Sequence, residues 1–465
     1  MADDIAFLSS AKPLDRYAYG PIPGVPDDVM ECIPKSGMVH EYVWWASQIT
    51  YASPIWHVGA ILPAIAYELA AQGWSLPGRK SQIALQSFLI GRPATAKSTC
   101  LRMARAFHED MLSTKAQYSQ GSWDPGKSPW FQSEGTVAGL LEALYDRFDE
   151  DLDITPSILF HEEVSSLLGS KDFGTIDILM QLFDAQPVVE RMLVRYREMA
   201  KKGLTPPSRV VKPAIGGVFA GTISAMQNVL TSRHFQGGLV SRSLWLVAEP
   251  DVRRFDAVEE DDERLPQRAE VLGRWTQYGP HLFGLRARGD AQFAPFTPAV
   301  KAIIEDNLVA RFRSAFSAHD DHIAPTLQRA IQLARLITRL YAMSRGSLQA
   351  SEEDARAAVA LVQWSVRSAE LLGGLTSDNE GWRMRTRALE LCEQAGEVGI
   401  DRRSLYKALH ISKGELDQVI ASMLDEGIIV ERRGRHTNGR PKAIYTIPGA
   451  APMGKVIELD RHRSD

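Results

Sequence analysis

One stretch decides the fold of this chain: Gly91-Arg92-Pro93-Ala94-Thr95-Ala96-Lys97-Ser98-Thr99. The apolar run Ile83–Ile90 precedes it and predicts a buried strand. Apolar residues from Cys100 to Phe107 follow it at helical spacing and predict a helix. A strand, a loop that starts with glycine, a Lys-Ser pair and a helix together form the context of a phosphate-binding loop. The sequence therefore predicts a site for a nucleoside triphosphate.

Each part of the loop has an expected role toward ATP and Mg²⁺. Backbone N–H groups at the helix start face the phosphates, and the helix dipole favours an anion there. Lys97 would reach the β- and γ-phosphates, and the Ser98 hydroxyl would ligate Mg²⁺. Ala96 departs from the usual pattern, because glycine normally precedes the lysine and adopts positive φ more readily. The expected nucleotide contacts are Gly91, Pro93, Ala94, Thr95, Ala96, Lys97, Ser98 and Thr99.

A second stretch fits the phosphate-loop pattern letter for letter but lacks its context. Gly121–Ser128 reads Gly-Ser-Trp-Asp-Pro-Gly-Lys-Ser. The polar run Lys115–Gln120 precedes it and Pro129-Trp130 follows it, so neither a buried strand nor an amphipathic helix flanks it. We interpret this stretch as a surface turn within a polar insertion, 113–133.

Two further apolar runs end in the polar side chains that an ATPase needs. Ser157–His161 predicts a strand and runs directly into Glu162 and Glu163. We expect Glu162, where aspartate is usual, to hold Mg²⁺ through water, and Glu163 to orient or deprotonate the attacking water. Ile215–Thr222 predicts another buried strand, and Thr222 would act as a polar sensor of the γ-phosphate.

Three arginines are candidates for contacts with the nucleotide. Arg242 precedes the predicted strand Leu244–Val247 and would point out of its own subunit, as an arginine finger in a neighbour's site. A single arginine in such a position is more often a plain surface residue. Arg329 and Arg335 lie on a predicted helix, 325–345, which we expect to form part of a lid over the nucleotide. Either could be a second phosphate sensor.

Two basic segments are candidates for DNA contact. Val188–Lys212 has two arms around a turn-rich centre, which predicts either a hairpin facing the pore of a ring or a solvated surface loop. Residues 383–447 predict three helices and a β-hairpin, the pattern of a winged helix. The third helix is acidic, which does not suit base readout. The winged helix is therefore as well explained by contacts with the DNA backbone or with a protein as by sequence recognition. The candidate DNA contacts are Arg191, Arg195, Arg197, Lys201 and Lys202 in the first segment and Arg432, Arg433, Arg435, Arg440 and Lys442 in the second.

The bulk properties are those of an ordinary globular protein. A length of 465 residues predicts two or three domains, and the net charge of −4 means that any basic surface is local. The three cysteines are far apart, without metal-ligand or disulfide spacing, which suits a reducing cytoplasm. The start, Met1-Ala2-Asp3-Asp4, has no basic region, so no signal peptide is expected. The apolar run Ile55–Tyr67 is too short to span a bilayer.

Taken together, these motifs resemble the minichromosome-maintenance (MCM) type of AAA+ helicase, in the helicase-like form that phages and mobile elements carry. That family tends to have alanine before the lysine, in a Gly-x-Pro-x-x-Ala-Lys-Ser pattern that Gly91–Ser98 matches. Ser241-Arg242 is similar to the family's Ser-Arg finger element, although Ser243-Leu244 replaces the usual Phe-Asp. Val188–Lys212 occupies the place of the family's presensor hairpin. The family's large N-terminal DNA-binding domain, with its zinc module, looks absent.

The resemblance implies an α/β fold: a three-layer AAA+ (ASCE) P-loop NTPase core with a helical lid and a C-terminal winged helix. It also implies a homo-hexameric ring around DNA, with ATP·Mg²⁺ bound between subunits and single-stranded DNA in the pore. Other replication proteins are expected partners. No association with a membrane is expected. The expected function is an ATP-dependent helicase or translocase in replication of a phage or mobile element. The alternative is a DNA-bound ATP switch, such as a helicase loader, a replication initiator or a transposition regulator.

The sequence divides into seven expected segments. They are an extended arm at 1–37, a helical segment at 38–80, the ATPase core at 81–250, a linker at 251–296, the lid at 297–375, the winged helix at 383–447 and a tail at 448–465.

Overall fold

The computed structural model describes most of residues 29–446, which form two compact units. Of the described residues, those from 29 to 374 form one unit and those from 384 to 446 form the other. Besides the termini and shorter interruptions, the residues outside the description are 77–82, 119–123, 191–196, 204–208, 251–269, 274–292, 314–323, 375–383 and 436–440. The expected linker and tail therefore lie mostly or wholly outside the described residues, as does most of the expected arm.

The larger unit is built on a five-stranded parallel sheet of order β2-β3-β6-β1-β7. Its strands are β1 Gln86–Gly91, β2 Trp130–Phe131, β3 Thr155–His161, β6 Pro213–Thr222 and β7 Leu244–Val247. A separate antiparallel pair consists of β4 Val188–Glu190 and β5 Arg209–Val211. The central strands are buried along nearly their whole length, as expected where helices cover both faces of a parallel sheet.

The apolar runs predicted as strands are confirmed, but one strand was not foreseen. β2 lies within the segment predicted as a polar insertion, 113–133, and that prediction is wrong at both of its ends. The helix after the phosphate loop continues to Tyr118, and Trp130–Phe131 joins the sheet beside β3. The intervening Gly126 N–H donates to Asp124 Oδ1 over 2.9 Å, a local turn that leads into a strand and not into a helix.

Helices cover the sheet and account for the remaining regular structure of the larger unit. They are α1 Met38–Ile49, α2 Pro54–Ala70, α3 Lys97–Tyr118, α4 Val137–Tyr145, α5 Ser165–Leu168, α6 Phe173–Phe183, α7 Ile223–Val229, α8 Pro298–Ile304, α9 Ala324–Ser344 and α10 Glu352–Gly374. A π-helical turn, Glu305–Val309, continues α8, and 3₁₀ turns span Val29–Cys32 and Val240–Arg242. Within the described ranges, no helix combines the length and the apolar character that crossing a membrane requires.

Helix α2 packs directly on the sheet, since nearly all its residues are buried. The helix begins with Pro54 at its first helical position. The approach is close because Gly59 has no side chain, and a Cβ there would lie 2.4 Å from Leu246 Cδ1. The Trp56 indole N–H donates to the Leu246 carbonyl over 2.9 Å, which fixes α2 to the carboxyl half of β7.

The outer edge of β7 is covered by side chains of α10. The backbone N–H groups of Trp245 and Val247 donate to the hydroxyls of Ser365 (2.8 Å) and Ser368 (3.0 Å). Trp364 Nε1 in turn donates to the Val247 carbonyl over 3.0 Å. Helix α10 therefore supplies the hydrogen bonds that a sixth strand would otherwise make.

The described end of the N-terminal arm lies against the last helices of the larger unit. The Tyr341 hydroxyl on α9 donates to the Cys32 carbonyl over 2.6 Å, and the Lys35 N–H donates to Glu353 on α10 over 2.7 Å. These contacts fix residues 29–37 on α9 and α10.

Among its described residues, the smaller unit contains a three-stranded sheet and two continuous helices, and the first of the three predicted helices falls in a stretch before β8 that is only partly described. In chain order these are β8 Ile400–Asp401, α11 Arg402–Leu409, α12 Lys413–Asp425, β9 Val430–Arg435 and β10 Pro441–Thr446, with sheet order β8-β10-β9. The two helices and the hairpin were predicted, but β8 was not. Leu405, Leu416 and Met423 share one core with Ala388 and Tyr445, so the residues before β8 belong to this unit.

Candidate functional site

The phosphate loop joins the carboxyl end of β1 to the start of α3. Ala94 and Ala96 adopt positive φ values of 55° and 60°, the left-handed conformation that glycine adopts more readily. Ala96 thus occupies the position of the usual glycine in a conformation that glycine would favour. The departure noted in the sequence does not prevent the loop from turning.

Lys97 is folded back onto the loop. Its ammonium group donates to Thr95 Oγ1 over 2.8 Å and to the Arg92 carbonyl, and its side chain is buried. Burial lowers the pKa of Lys97 to about 8, and the negative charge of Glu163 opposes part of that change. The loop therefore holds a cation beside the first backbone N–H groups of a 22-residue helix, which have no carbonyl partner within the helix. These groups fit a bound phosphate chain.

The register of the sheet brings the predicted polar residues to the same edge as the loop. Gly91 lies beside Thr222 in the pairing of β1 with β6, and His161 lies beside Phe219 in the pairing of β3 with β6. The Val164 N–H continues this alignment by donating to the Ala220 carbonyl over 2.8 Å. Glu162 and Glu163 therefore follow β3 at the edge where the loop and Thr222 end their strands.

The two glutamates have different surroundings. Glu162 Oε1 lies 3.5 Å from Arg102 Nε, and the same Arg102 Nε donates to the Ser98 carbonyl, so this acid is drawn toward the first turn of α3. Glu163 accepts a 2.6 Å hydrogen bond from Ser165 Oγ. A Mg²⁺ ion near Ser98 would have Glu162 within reach, whereas Ser165 orients Glu163.

Thr222 has a structural role in addition to the predicted one. Its hydroxyl oxygen caps α7 by accepting from the Ala225 N–H over 3.2 Å, and it lies 3.3 Å from Ser224 Oγ. A capping oxygen still has its hydroxyl proton to donate, because the cap uses only a lone pair. The arrangement is compatible with a hydrogen bond from Thr222 to a phosphate oxygen.

The corner between α1 and α2 encloses the loop, a feature that sequence reasoning missed. The Tyr51 hydroxyl donates to the Ala94 carbonyl over 3.3 Å, and Lys97 Nζ lies 5.6 Å from the Trp56 ring centre. His57 is fully buried, 2.9 Å from Thr50 Oγ1 and 3.6 Å from Cys100 Sγ, and burial lowers its pKa to about 3. The N-terminal helices therefore form one wall of the candidate nucleotide site.

Arg242 and Arg329 lie together, far from the loop of their own chain. Arg242 donates to both carboxylate oxygens of Asp184, at 2.7 Å each, and to the Gly238 carbonyl at 2.7 Å. Arg329 Nη2 lies 3.3 Å from the same carboxylate. The sequence analysis did not identify Asp184, because no sequence pattern around this residue, which follows α6, indicates that it pairs with arginines.

The register shows how far this cluster is from the phosphate loop. Ser87 of β1 lies beside Leu244 of β7. Gly91 follows Ser87 by four residues, which corresponds to a rise of about 13 Å along β1, and Arg242 lies in the 3₁₀ turn that precedes Leu244. Arg329 lies beside Asp184, and its role as a second phosphate sensor stays a prediction, while the prediction that Arg242 points away from its own site is compatible with this register. Arg335 is exposed on the same helix, and its carbonyl accepts from Arg339.

The predicted basic hairpin is partly described. β4 and β5 pair in antiparallel fashion, with Glu190 opposite Arg209. Arg197, Lys201 and Lys202 are exposed between them. Arg191 and Arg195 lie outside the described residues. Exposed cations are compatible with both the pore-facing hairpin and the surface loop.

The predicted wing corresponds to β9 and β10. Arg432, Arg433 and Arg435 lie on β9, and Lys442 lies on β10 opposite Gly434. Arg440 lies outside the described residues. The hairpin therefore exists where the wing was predicted.

The chain was compared with protein-family models and with curated proteins. No protein-family model matches the chain, and no match is found among the curated proteins. The candidate site therefore stands on the geometry described above.

Proposed function

We propose that this chain is an ATPase of the AAA+ type that acts on DNA as a helicase or translocase. The observation that carries the proposal is the shared edge of β1, β6 and β3. Along it lie a loop with a buried lysine and a helix start, a threonine, and two consecutive glutamates. These groups are the cation, the hydroxyls and the carboxylates that phosphoryl transfer to water requires.

The fold supports the finer assignment. A parallel sheet covered by helices, with the phosphate loop on an interior strand, agrees with an AAA+ core. The order β8, α11, α12, β9, β10 in the smaller unit agrees with a winged helix, since two helices precede a hairpin of two longer strands.

Each residue at the edge has a defined task in this proposal. Lys97 exchanges its contacts with Thr95 and Arg92 for phosphate oxygens, and the N–H groups at the start of α3 bind the same phosphates. Ser98 and Glu162 hold Mg²⁺, which supplies charge neutralisation at the phosphates. Glu163, oriented by Ser165, positions the attacking water, and Thr222 donates to the γ-phosphate.

A ring of identical subunits is part of the proposal. Because Arg242 lies at the opposite end of the sheet from its own loop, it can reach a nucleotide only in a neighbouring copy. A head-to-tail contact that repeats around a closed ring provides that geometry, and six subunits are the expected number. The exposed cations Arg197, Lys201 and Lys202 would then contact a DNA strand in the pore.

A DNA-bound ATP switch is the second candidate. The observation that favours it is the ion pair between Arg242 and Asp184, which holds the proposed finger within its own chain. A protein in this state would bind ATP to assemble on DNA and would hydrolyse it slowly.

The rate of ATP hydrolysis, with and without single-stranded DNA, tests the proposal. We expect strong stimulation by DNA in the wild-type protein and loss of turnover in Glu163→Gln, while the exposed control Glu305→Gln keeps it. A slow rate that DNA does not change would favour the switch, and strand displacement on a forked duplex would then be absent. Turnover that persists in both Glu163→Gln and Lys97→Ala would refute the site itself.

A further inference from the structure

A cleft of about 560 Å³ opens in the smaller unit between α11, α12 and β10. Leu416, which is buried, and Ala443 form its apolar lining. Tyr406 forms one wall and is a large aromatic residue left 45% exposed. The cleft thus combines an apolar surface with an accessible aromatic ring, and its size is that of a small-molecule or nucleotide site.

The charged residues around the cleft leave a positive surplus. Arg402 is paired with Asp417 across the two helices, and Asp401 caps α11 by accepting from the Ser404 N–H over 3.0 Å. Those two acids are therefore already engaged. Arg403 and Lys413 also line the cleft, are exposed, and make no ion pair among the residues that the structure describes.

We propose that this cleft binds single-stranded nucleic acid, with a base against Tyr406 and the adjoining phosphates on Arg403 and Lys413. An aromatic side chain flanked by cations is the usual means of binding an unstacked base and its backbone. The bases of a duplex are stacked and paired, so none of them can lie against the Tyr406 ring. The acidic residues of α12 also suit contact with the major groove of a duplex poorly. The proposal rests on the nucleic-acid-binding part of the proposed function and not on ATP hydrolysis, and Arg403, Tyr406 and Lys413 lie on the helices α11 and α12 and not on the wing strands.

Fluorescence anisotropy of a labelled oligothymidine strand with the full chain, in the absence of nucleotide, tests the proposal. Arg403→Glu/Lys413→Glu is expected to weaken binding at least about tenfold and to lower the slope of log affinity against log salt by roughly 1.5, because two phosphates lose their cations. Tyr406→Ala is expected to weaken binding by about 5- to 100-fold with an unchanged salt slope, and Tyr406→Phe to restore it. The matched control, Lys301→Glu/Arg313→Glu, reverses two exposed cations of the larger unit and is expected to bind like wild type.

The outcomes separate this proposal from the proposed function. Repeating the titration in Lys97→Ala leaves the cleft intact, so binding that persists there supports the cleft even if ATP turnover is never found. Equal affinities for wild type and all cleft variants would overturn the proposal, as would a wild-type chain that binds no strand. A duplex of matched sequence bound as tightly as the single strand, and weakened by Tyr406→Ala to the same extent, would also overturn it.

Discussion

The carboxylate of Asp184 accepts two hydrogen bonds from the guanidinium group of Arg242, from Nε to Oδ1 and from Nη2 to Oδ2, at 2.7 Å each. Arg329 approaches the same carboxylate at 3.3 Å, so two guanidinium groups share one negative charge. Asp184 therefore connects the end of α6 to the turn before β7 and to α9.

Replacing Asp184 with asparagine is expected to destabilise the fold. Asp184→Asn removes the carboxylate charge that Arg242 and Arg329 both contact in a partly buried site, which corresponds to a loss of about 1–3 kcal/mol in the free energy of unfolding. Urea denaturation measures this loss. The control Asp306→Asn removes an exposed carboxylate and is expected to remain within about 0.5 kcal/mol of wild type. Equal effects of the two variants would contradict a structural role for the pair.

Mixing two inactive variants is expected to restore ATP hydrolysis. Lys97→Ala removes the phosphate-binding cation, and Arg242→Ala removes the proposed finger, so each variant alone is expected to be inactive. In a randomly mixed ring, a site between an Arg242→Ala subunit and a Lys97→Ala subunit can combine both intact residues, which restores roughly a quarter of the sites at equal amounts. The ATPase rate as a function of mixing ratio measures this. A mixture that remains inactive would argue against a role for Arg242 in the neighbouring site.

Glycine at position 96 is expected to be tolerated. The left-handed conformation of Ala96 costs roughly 1–2 kcal/mol, which Ala96→Gly relieves, while the greater freedom of the unfolded chain costs about 0.4–1 kcal/mol. The free energy of unfolding should therefore change little or rise by up to about 1 kcal/mol. Ala104→Gly, in the interior of α3, should lower it by about 1 kcal/mol or more. Equal losses in the two variants would show that Ala96 is not in this conformation.

A methyl group at position 91 is expected to disturb the loop. A Cβ on Gly91 would lie 2.6 Å from Trp56 Cζ2 and 2.9 Å from the Ala248 carbonyl oxygen. Gly91→Ala should therefore cost about 1–3 kcal/mol of unfolding free energy. Trp56→Phe removes the ring atom that the new Cβ would contact. Adding Gly91→Ala to Trp56→Phe should therefore lower the free energy of unfolding less than adding it to the wild-type chain. Gly414→Ala is the control, because no heavy atom lies within 4 Å of its added Cβ.

Nucleotide affinity is expected to fall above neutral pH. Burial lowers the pKa of Lys97 to about 8, and only the protonated amine attracts phosphate. As pH rises through 8 the free protein loses this proton, so affinity should fall about tenfold per pH unit beyond that value. Calorimetry of ATP binding from pH 6.5 to 9.5 should also show proton uptake above pH 8. Lys97→Arg should bind with affinity nearly independent of pH, because its guanidinium stays charged.

The arrangement of loop, acids and threonine along one edge was largely predictable. β1, β3 and β6 are continuous apolar runs, and each ends in the residues that the site uses, so local sequence carries both the strand and its chemistry. β2 was missed because two residues are too few to show a period. β8 was missed for the same reason.

The parts that the sequence did not reveal depend on contacts between distant residues. Asp184 and Arg242 are 58 positions apart, and no local pattern pairs them. The segment 38–80 was predicted as helical, but the proximity of Tyr51 and Trp56 to the loop depends on how α2 crosses the sheet. The contact of Arg329 with Asp184 likewise joins α9 to the end of α6, two helices that are distant in the sequence.

The covered edge of β7 limits how copies of this chain can associate. The two serines and one tryptophan of α10 occupy the hydrogen-bonding groups of Trp245 and Val247, so no strand from another molecule can pair there. At the opposite edge, β2 offers only two residues. The sheet therefore cannot be extended at the β7 edge, and its other edge strand, β2, is short. Both features protect the sheet against edge-to-edge aggregation. A second copy that docks at the α10 side of this sheet therefore contacts helix side chains and not strand backbone, so it can leave again without breaking a sheet.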